Sequence, residues 1–181
     1  MNVYDFDDTI YDGDSAVDFY LFCLKRHPLI IRKIPKQFLG LVKYKLKKLT
    51  KEELKEHFYS YFLCLKNIDD DVNLFWNKNE IKIKKWYLNQ KRRDDLIISA
   101  SPEFFLKPIC RKLNINLVAS VVNKKNGKYI SLNCYGEEKV KRLKNIFPNK
   151  IINSFYTDSK SDYPLVNISK KSYLVKKNKI I

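Results

Sequence analysis

Short apolar runs separated by amphipathic stretches set the frame of this chain. After an apolar opening at Val3, four β-rich runs follow at Leu96–Ala100, Leu117–Val122, Ile151–Tyr156 and Tyr173–Val175. Between them, 104–113 and 137–146 carry apolar residues at helical spacing. Strands alternating with helices predict a parallel sheet covered on both faces, a Rossmann-like α/β core. Asn126-Gly127, flanked by Ser120–Val122 and Tyr129–Leu132, signals a β-hairpin projecting after the third strand.

Residues 14–89 differ in character. They are rich in Lys, Leu, Phe and Tyr and space their apolar residues as helices do, as in Phe38, Leu41, Val42 and Leu46. Thr50 with Glu53 reads as a capping box opening a helix that carries Leu54, Phe58, Tyr61 and Phe62. Asp69-Asp70-Asp71 reads as a helix start, where negative charge suits the dipole, rather than as a metal site. The expected organisation is therefore a core of residues 1–13 and 90–181, with residues 14–89 inserted as an all-helical cap.

Charge narrows the set of partners. The chain has 36 Lys and Arg against 20 Asp and Glu, a formal net charge of +16 over 181 residues. Such a surface attracts phosphorylated metabolites, nucleic acid or anionic lipid headgroups. The Lys residues are spread throughout, as a general compositional bias would also give. Cys23, Cys64, Cys110 and Cys134 lack zinc spacing and read as free thiols, mostly buried. Neither His27 nor His57 reads as a ligand. No apolar run reaches the ~18 residues of a bilayer span, and the start leaves no room for a signal peptide, so the expected location is cytoplasmic.

The candidate chemistry lies where strands end. In open α/β sheets, ligands sit outside the carboxyl ends of the strands. The first run ends in Asp5-Phe6-Asp7-Asp8-Thr9. In a strand, Asp5 and Asp7 share one side, about 3.3 Å of rise per residue apart, so one carboxylate can attack while the other moves a proton. An Asp-rich turn is the plainer reading of this segment alone. The second run ends in Ser99-Ala100-Ser101-Pro102, a hydroxyl-bearing turn with Pro at the expected first helical position, which suits phosphate. Ser101 also suits a simple helix cap. Gly136-Glu137-Glu138-Lys139 opens a helix with a cation that opposes the dipole, and Asp158 and Asp162 follow the fourth run.

In that order these segments resemble the four motifs of the haloacid dehalogenase superfamily of phosphohydrolases, from Val3 to Val175. Asp5 to Thr9 match the first motif, Ser99 the second, Lys139 the third, and Asp158 with Asp162 the fourth. The helical insertion, Ser99 to Glu103, and Asn133-Cys134-Tyr135-Gly136 are most similar to the phosphoserine-phosphatase-like branch. The resemblance implies a haloacid-dehalogenase-like fold and a Mg²⁺-dependent phosphatase working through an aspartyl-phosphate on Asp5. Asp7 would serve as acid and then base, and Ser99, Ala100, Thr9 and Lys139 would bind or position the phosphoryl group. Mg²⁺ would be held around Asp5, Asp7 (through its carbonyl) and Asp158, with Asp162 supporting the metal shell or orienting Lys139.

Two departures matter. Ala100-Ser101 stands where that branch usually carries Gly-Gly, which argues against phosphoserine itself as substrate. Thr157 replaces a frequent Gly before the first aspartate of the fourth motif, which affects loop shape more than chemistry. The expected partner is a small phosphorylated molecule or a lipid headgroup, with peripheral membrane contact open. Lys clustered with Phe38, Tyr44, Phe58 and Tyr59 suits lipid headgroups, although these rings also suit the cap's own core. Two other classes stay open: a basic nucleic-acid-binding module with a non-catalytic core, which lacks a recognised binding motif, and a phospho-accepting signalling domain.

Overall fold

The computed structural model describes all residues, Met1–Ile181. Strand β1 (Asn2–Tyr4) is followed by five helices, α1 (Ser15–Arg26), α2 (Ile34–Lys45), α3 (Lys51–Tyr59), α4 (Ile68–Asn79) and α5 (Lys85–Gln90), with short 3₁₀ turns between them. Then come β2 (Leu96–Pro102), α6 (Glu103–Leu113), β3 (Asn116–Ser120), α7 (Glu137–Ile146), β4 (Ile152–Thr157), α8 (Tyr163–Val166), β5 (Ser169–Lys176) and β6 (Lys179–Ile180). The strands form one sheet in the order β3-β2-β1-β4-β5-β6, parallel except for β6.

Alternation along the strands divides the interior between the two faces of the sheet. Val3, Leu96 and Ile98 point to one side, into a layer with Val140, Leu143 and Leu165 from α7 and α8. Tyr4 and Ile97 point to the other, where Phe19, Phe75, Trp76 and Phe105 from α1, α4 and α6 build an aromatic core. Because α1 and α4 contribute to that core, part of the helical insertion packs directly on the sheet. Phe58 and Tyr59 belong to the same interior, whereas Phe38 and Tyr44 are exposed.

The helix starts follow local chemistry. Asp14 caps α1 by accepting from the Ala16 and Val17 amides at 2.9 and 3.0 Å. Thr50 and Glu53 form the expected capping box at α3. The Asp69–Asp71 run lies in the first turn of α4, with Asn67 as the cap. Asp71 has a further role: it is buried, and its carboxylate takes Arg26 Nε at 3.0 Å and His27 Nε2 at 2.9 Å, fastening α4 to the end of α1. Cys23, Cys110 and Cys134 are buried free thiols, and Cys64 is half-buried.

Three expectations need adjustment. Strand β3 stops at Ser120, so Val121 and Val122 leave the sheet. The reversal at Asn126-Gly127 does form, with the Gly127 amide donating to the Asn123 carbonyl at 2.8 Å. Its arms share only the Val122–Tyr129 bridge, made by the Asn123 amide to the Lys128 carbonyl at 2.8 Å and the Ile130 amide to the Val121 carbonyl at 2.9 Å; the Tyr129 amide faces outward and donates to Glu56 of α3 at 2.9 Å. At the other edge, β5 is longer than Tyr173–Val175, and β6 adds an unanticipated antiparallel strand. No helix is long and apolar enough to cross a membrane.

Candidate functional site

The loop after β1 is aimed by its central aromatic. Phe6 is fully buried and meets the Trp76 ring edge-on at a centroid distance of 5.8 Å. Asp5 and Asp7, on either side of it, line a cavity of about 760 Å³ at the carboxyl ends of the strands. The Asp5 amide donates to the Tyr156 carbonyl at 2.9 Å, extending the pairing of β1 with β4 up to Asp5. Asp8 turns the chain at φ 54°, and its amide donates to the Gly13 carbonyl at 2.9 Å. Short-chained Asp tolerates that left-handed conformation.

Ser99, Ala100, Ser101, Lys139, Asp158 and Asp162 line the same cavity, so segments far apart in the chain meet there. Lys139 sits in the first turn of α7, which Gly136 opens with φ 56° and ψ −126°. Its ammonium donates to Asp5 Oδ1 at 2.8 Å and to Asp162 Oδ2 at 2.9 Å. Asp162 Oδ1 is also 2.8 Å from that ammonium, off the line of a hydrogen bond, and Oδ2 accepts from the Thr157 hydroxyl at 2.9 Å. Asp162 thus holds the lysine between itself and Asp5. Thr9 is fully buried behind this layer; its hydroxyl donates to Asp158 Oδ1 at 3.3 Å and accepts from the Asp158 amide at 3.0 Å. Its place is in the frame that joins the β1 and β4 loops.

Burial controls the electrostatics. It pushes the Asp5 carboxyl up to about 7; Lys139 opposes the rise, while Asp162 and Asp7 add to it. Burial, with repulsion from Asp14, raises Asp7 to about 6. Asp158 is also raised, chiefly by burial. For Lys139, burial disfavours the ammonium, but Asp5 and Asp162 outweigh that and hold its pKa above the ordinary lysine value. The site therefore contains a firmly protonated cation among carboxylates that need positive charge to ionise fully.

Ser15, Lys51 and Lys55 complete the site without having been singled out in the sequence, and Ser101 takes a part other than the cap. Ser15 donates to Asp7 Oδ1 through its hydroxyl at 2.5 Å and its amide at 2.7 Å, while the Ser101 hydroxyl reaches Asp7 Oδ2 at 2.6 Å. Ser101 is therefore not the α6 cap; Pro102 occupies that position in extended conformation, with Glu103 as the first helical residue. Ser99 is buried, and its Oγ accepts from the Ser101 amide at 3.1 Å. Two α3 lysines reach across the cavity. Lys55 donates to the Ala100 carbonyl at 3.0 Å, and Lys51 lies 3.4 Å from the centroid of the Tyr135 ring. Their only sequence signal is an i, i+4 spacing, which puts both on one helix face.

The donor set can be tested against a divalent cation. No three His, Cys, Asp or Glu side chains converge as an ion cage. The Asp7 carboxylate is taken by Ser15 and Ser101, and that of Asp162 by Lys139 and Thr157. Asp5 and Asp158 each keep one carboxylate oxygen outside their bonds to Lys139 and Thr9, and their burial favours a neighbouring cation; Asp8 lines the same cavity. One or two carboxylates completed by carbonyl, water and substrate oxygens is the pattern Mg²⁺ takes, so these residues fit it.

Comparison with solved structures places the fold. The chain is similar to a Bordetella pertussis Tohama I protein of unknown function, with TM-score 0.72 and 17% identity over 95% of this chain and 87% of that one. It is also similar to a probable phosphoserine phosphatase from Vibrio cholerae, with TM-score 0.67 and 9% identity over 94% and 55% of the two chains. A phosphoserine phosphohydrolase-like protein from Francisella tularensis gives TM-score 0.56 and 15% identity over 95% and 86%. No curated protein matches the sequence. The family model for haloacid dehalogenase-like hydrolases matches residues 3–167, a span that takes in Asp5, Ser99, Lys139, Asp158 and Asp162, and the chain belongs to that family.

Proposed function

We propose that this protein is a Mg²⁺-dependent phosphatase that hydrolyses a small or lipid-linked phosphomonoester through an aspartyl-phosphate on Asp5. The observation that carries the reading is the buried Lys139 ammonium, 2.8 Å from Asp5 at the carboxyl end of β1, in a cavity that also holds Asp7 and Ser99. Membership of a hydrolase family supports the same chemistry.

In the first step an Asp5 carboxylate oxygen forms a bond to phosphorus as the ester P–O bond breaks. Asp7 passes a proton to the departing oxygen, and the alcohol leaves. Water then attacks phosphorus, Asp7 takes its proton, and the Asp5–phosphorus bond breaks to release inorganic phosphate. Ser15 and Ser101 orient Asp7 for both transfers. A carboxylate approaching a phosphate meets like charge worth about 4 kcal/mol per unit pair at 4 Å and an effective dielectric near 20. Lys139 offsets that repulsion, and Ser99 and the loop through Ala100 cradle the phosphoryl oxygens. Asp5 and Asp158, with the Asp7 carbonyl, would hold Mg²⁺, which when bound supplies further positive charge to the transferring group.

The test is phosphate release from a generic aryl phosphate and a panel of phosphorylated metabolites, with Mg²⁺ and with chelator. Turnover that requires Mg²⁺ supports the reading; turnover unaffected by chelator contradicts the metal requirement. Tight, salt-dependent nucleic-acid binding without turnover would favour a different class.

A further inference from the structure

The cavity has two ends of opposite character. One holds the carboxylates and Lys139; the other runs between α1, α2 and α3 and is walled by Val17, Ile34, Phe38, Leu41, Leu54 and Phe58. The polar side chains in that second wall already have partners. The Tyr20 hydroxyl donates to Gln37 Oε1 at 3.0 Å, and Gln37 Nε2 donates to the Phe58 carbonyl at 2.9 Å. The charged groups Lys51, Lys55 and Asp14 belong to the rim around the reactive end, and Lys55 and Asp14 are bonded to backbone there.

The apolar wall is also uncovered. Phe38 is 66% exposed, and Val17, Ile34 and Leu41 are each more than 40% exposed. Large apolar side chains left open on one concave surface mark a place where apolar surface is buried on binding. A metabolite carrying charged groups far enough from its ester to pass the Lys51, Lys55 and Asp14 rim would lose hydration against this wall with little in return.

From the continuity of this wall with the reactive end, we infer that the substrate is a phosphomonoester whose alcohol is apolar. Its hydrocarbon lies along α1, α2 and α3 while its phosphate meets Asp5 and Lys139. The inference rests on the phosphatase reading of the same site and adds the substrate class to it. The shared chemistry is an amphiphilic monoester, either free in solution or carried in a membrane as a lipid headgroup.

The experiment measures kcat/KM for n-alkyl phosphates from methyl to octyl, below their aggregation thresholds and with Mg²⁺. Each added methylene is expected to raise kcat/KM about two- to fourfold until the wall is filled. Phe38→Asp, an exposed position that tolerates charge, should lower kcat/KM for octyl phosphate at least tenfold more than for methyl phosphate. Phosphatidic acid in vesicles, run beside octyl phosphate, separates the sources: preference for the vesicle identifies a lipid, and preference for the soluble ester a free amphiphile. Asp5-dependent turnover with no chain-length dependence overturns the inference and leaves the phosphatase reading intact. If no monoester is turned over, the phosphatase reading fails. Calorimetry then decides the wall by itself: octyl phosphate binding with a negative heat-capacity change that Phe38→Asp removes upholds it, and no binding overturns it.

Discussion

Lys139 Nζ lies 2.8 Å from Asp5 Oδ1 in an ion pair whose side chains are only 3% and 13% exposed. The same ammonium serves Asp162, so a single cation balances two buried carboxylates. Removing it leaves both unpaired. Lys139→Met should therefore cost about 3–5 kcal/mol of stability, seen as a lower urea midpoint. It should also reduce kcat by about 10²–10³. Adding Asp162→Asn to that variant should restore part of the stability and none of the rate, whereas a further loss of stability would mean that Asp162 does not depend on Lys139.

Gly136 makes the placement of Lys139 possible. With φ 56° and ψ −126°, its backbone lies in a region side chains avoid. An added Cβ would have open space, its nearest neighbour being the Ser161 carbonyl at 3.9 Å, so the cost of Gly136→Ala is conformational. About 1–3 kcal/mol of strain is expected, with a fall in kcat larger than any rise in KM because Lys139 shifts with the helix start. Steady-state kinetics beside a denaturation curve separate the two effects.

Lys55 predicts a pH dependence. Burial and the neighbouring Lys51 lower its pKa to about 8, against the opposing pull of Asp7 and Asp14, while Lys139 lowers it further. Below pH 8 it is an ammonium on the cavity wall that attracts a phosphate dianion, and above pH 8 that attraction fades. KM should rise as pH passes 8, and Lys55→Met should flatten this limb. The stability effect has the opposite sense. The unfolded chain holds this proton up to its ordinary pKa of 10.5, so between about 8 and 10.5 the unfolded state binds more protons and this group's contribution rises with pH.

Asp71 is remote from the chemistry and should affect folding alone. It is 3% exposed, whereas the Arg26 side chain it meets is 42% exposed and can rehydrate. Asp71→Asn should therefore cost about 2 kcal/mol, between the values for surface and buried pairs, with kcat and KM unchanged. A change in kcat without a change in thermal stability would contradict this purely structural role.

What the sequence reveals here depends on how local the cause is. Asp5, Ser99, Lys139, Asp158 and Asp162 were legible because each lies past a strand, opens a helix or, for Ser99, stands at the irregularity in the second half of β2, and the parallel fold brings such positions together. The Thr50–Glu53 capping box was legible because both partners lie within one turn. Ser101 was not: its partner Asp7 is 94 residues away, and its position fits an ordinary helix cap equally well. The link from Lys55 to Ala100 spans 45 residues and has no spacing rule. The first residues of β5 and all of β6 were obscured by their lysines, which suit an exposed sheet edge and erase the apolar alternation that marks a strand. The tie from the Tyr129 amide to Glu56 of α3 crosses 73 residues, which local turn chemistry does not register.

The most direct test of the central claim is the rate of aryl phosphate hydrolysis by Asp5→Asn beside the wild-type protein, both with Mg²⁺ and with folding checked by thermal melting. Asparagine keeps the size of the side chain and lacks the anionic oxygen proposed to attack phosphorus. The account predicts a folded variant with turnover abolished. Wild-type turnover by the folded variant would contradict it.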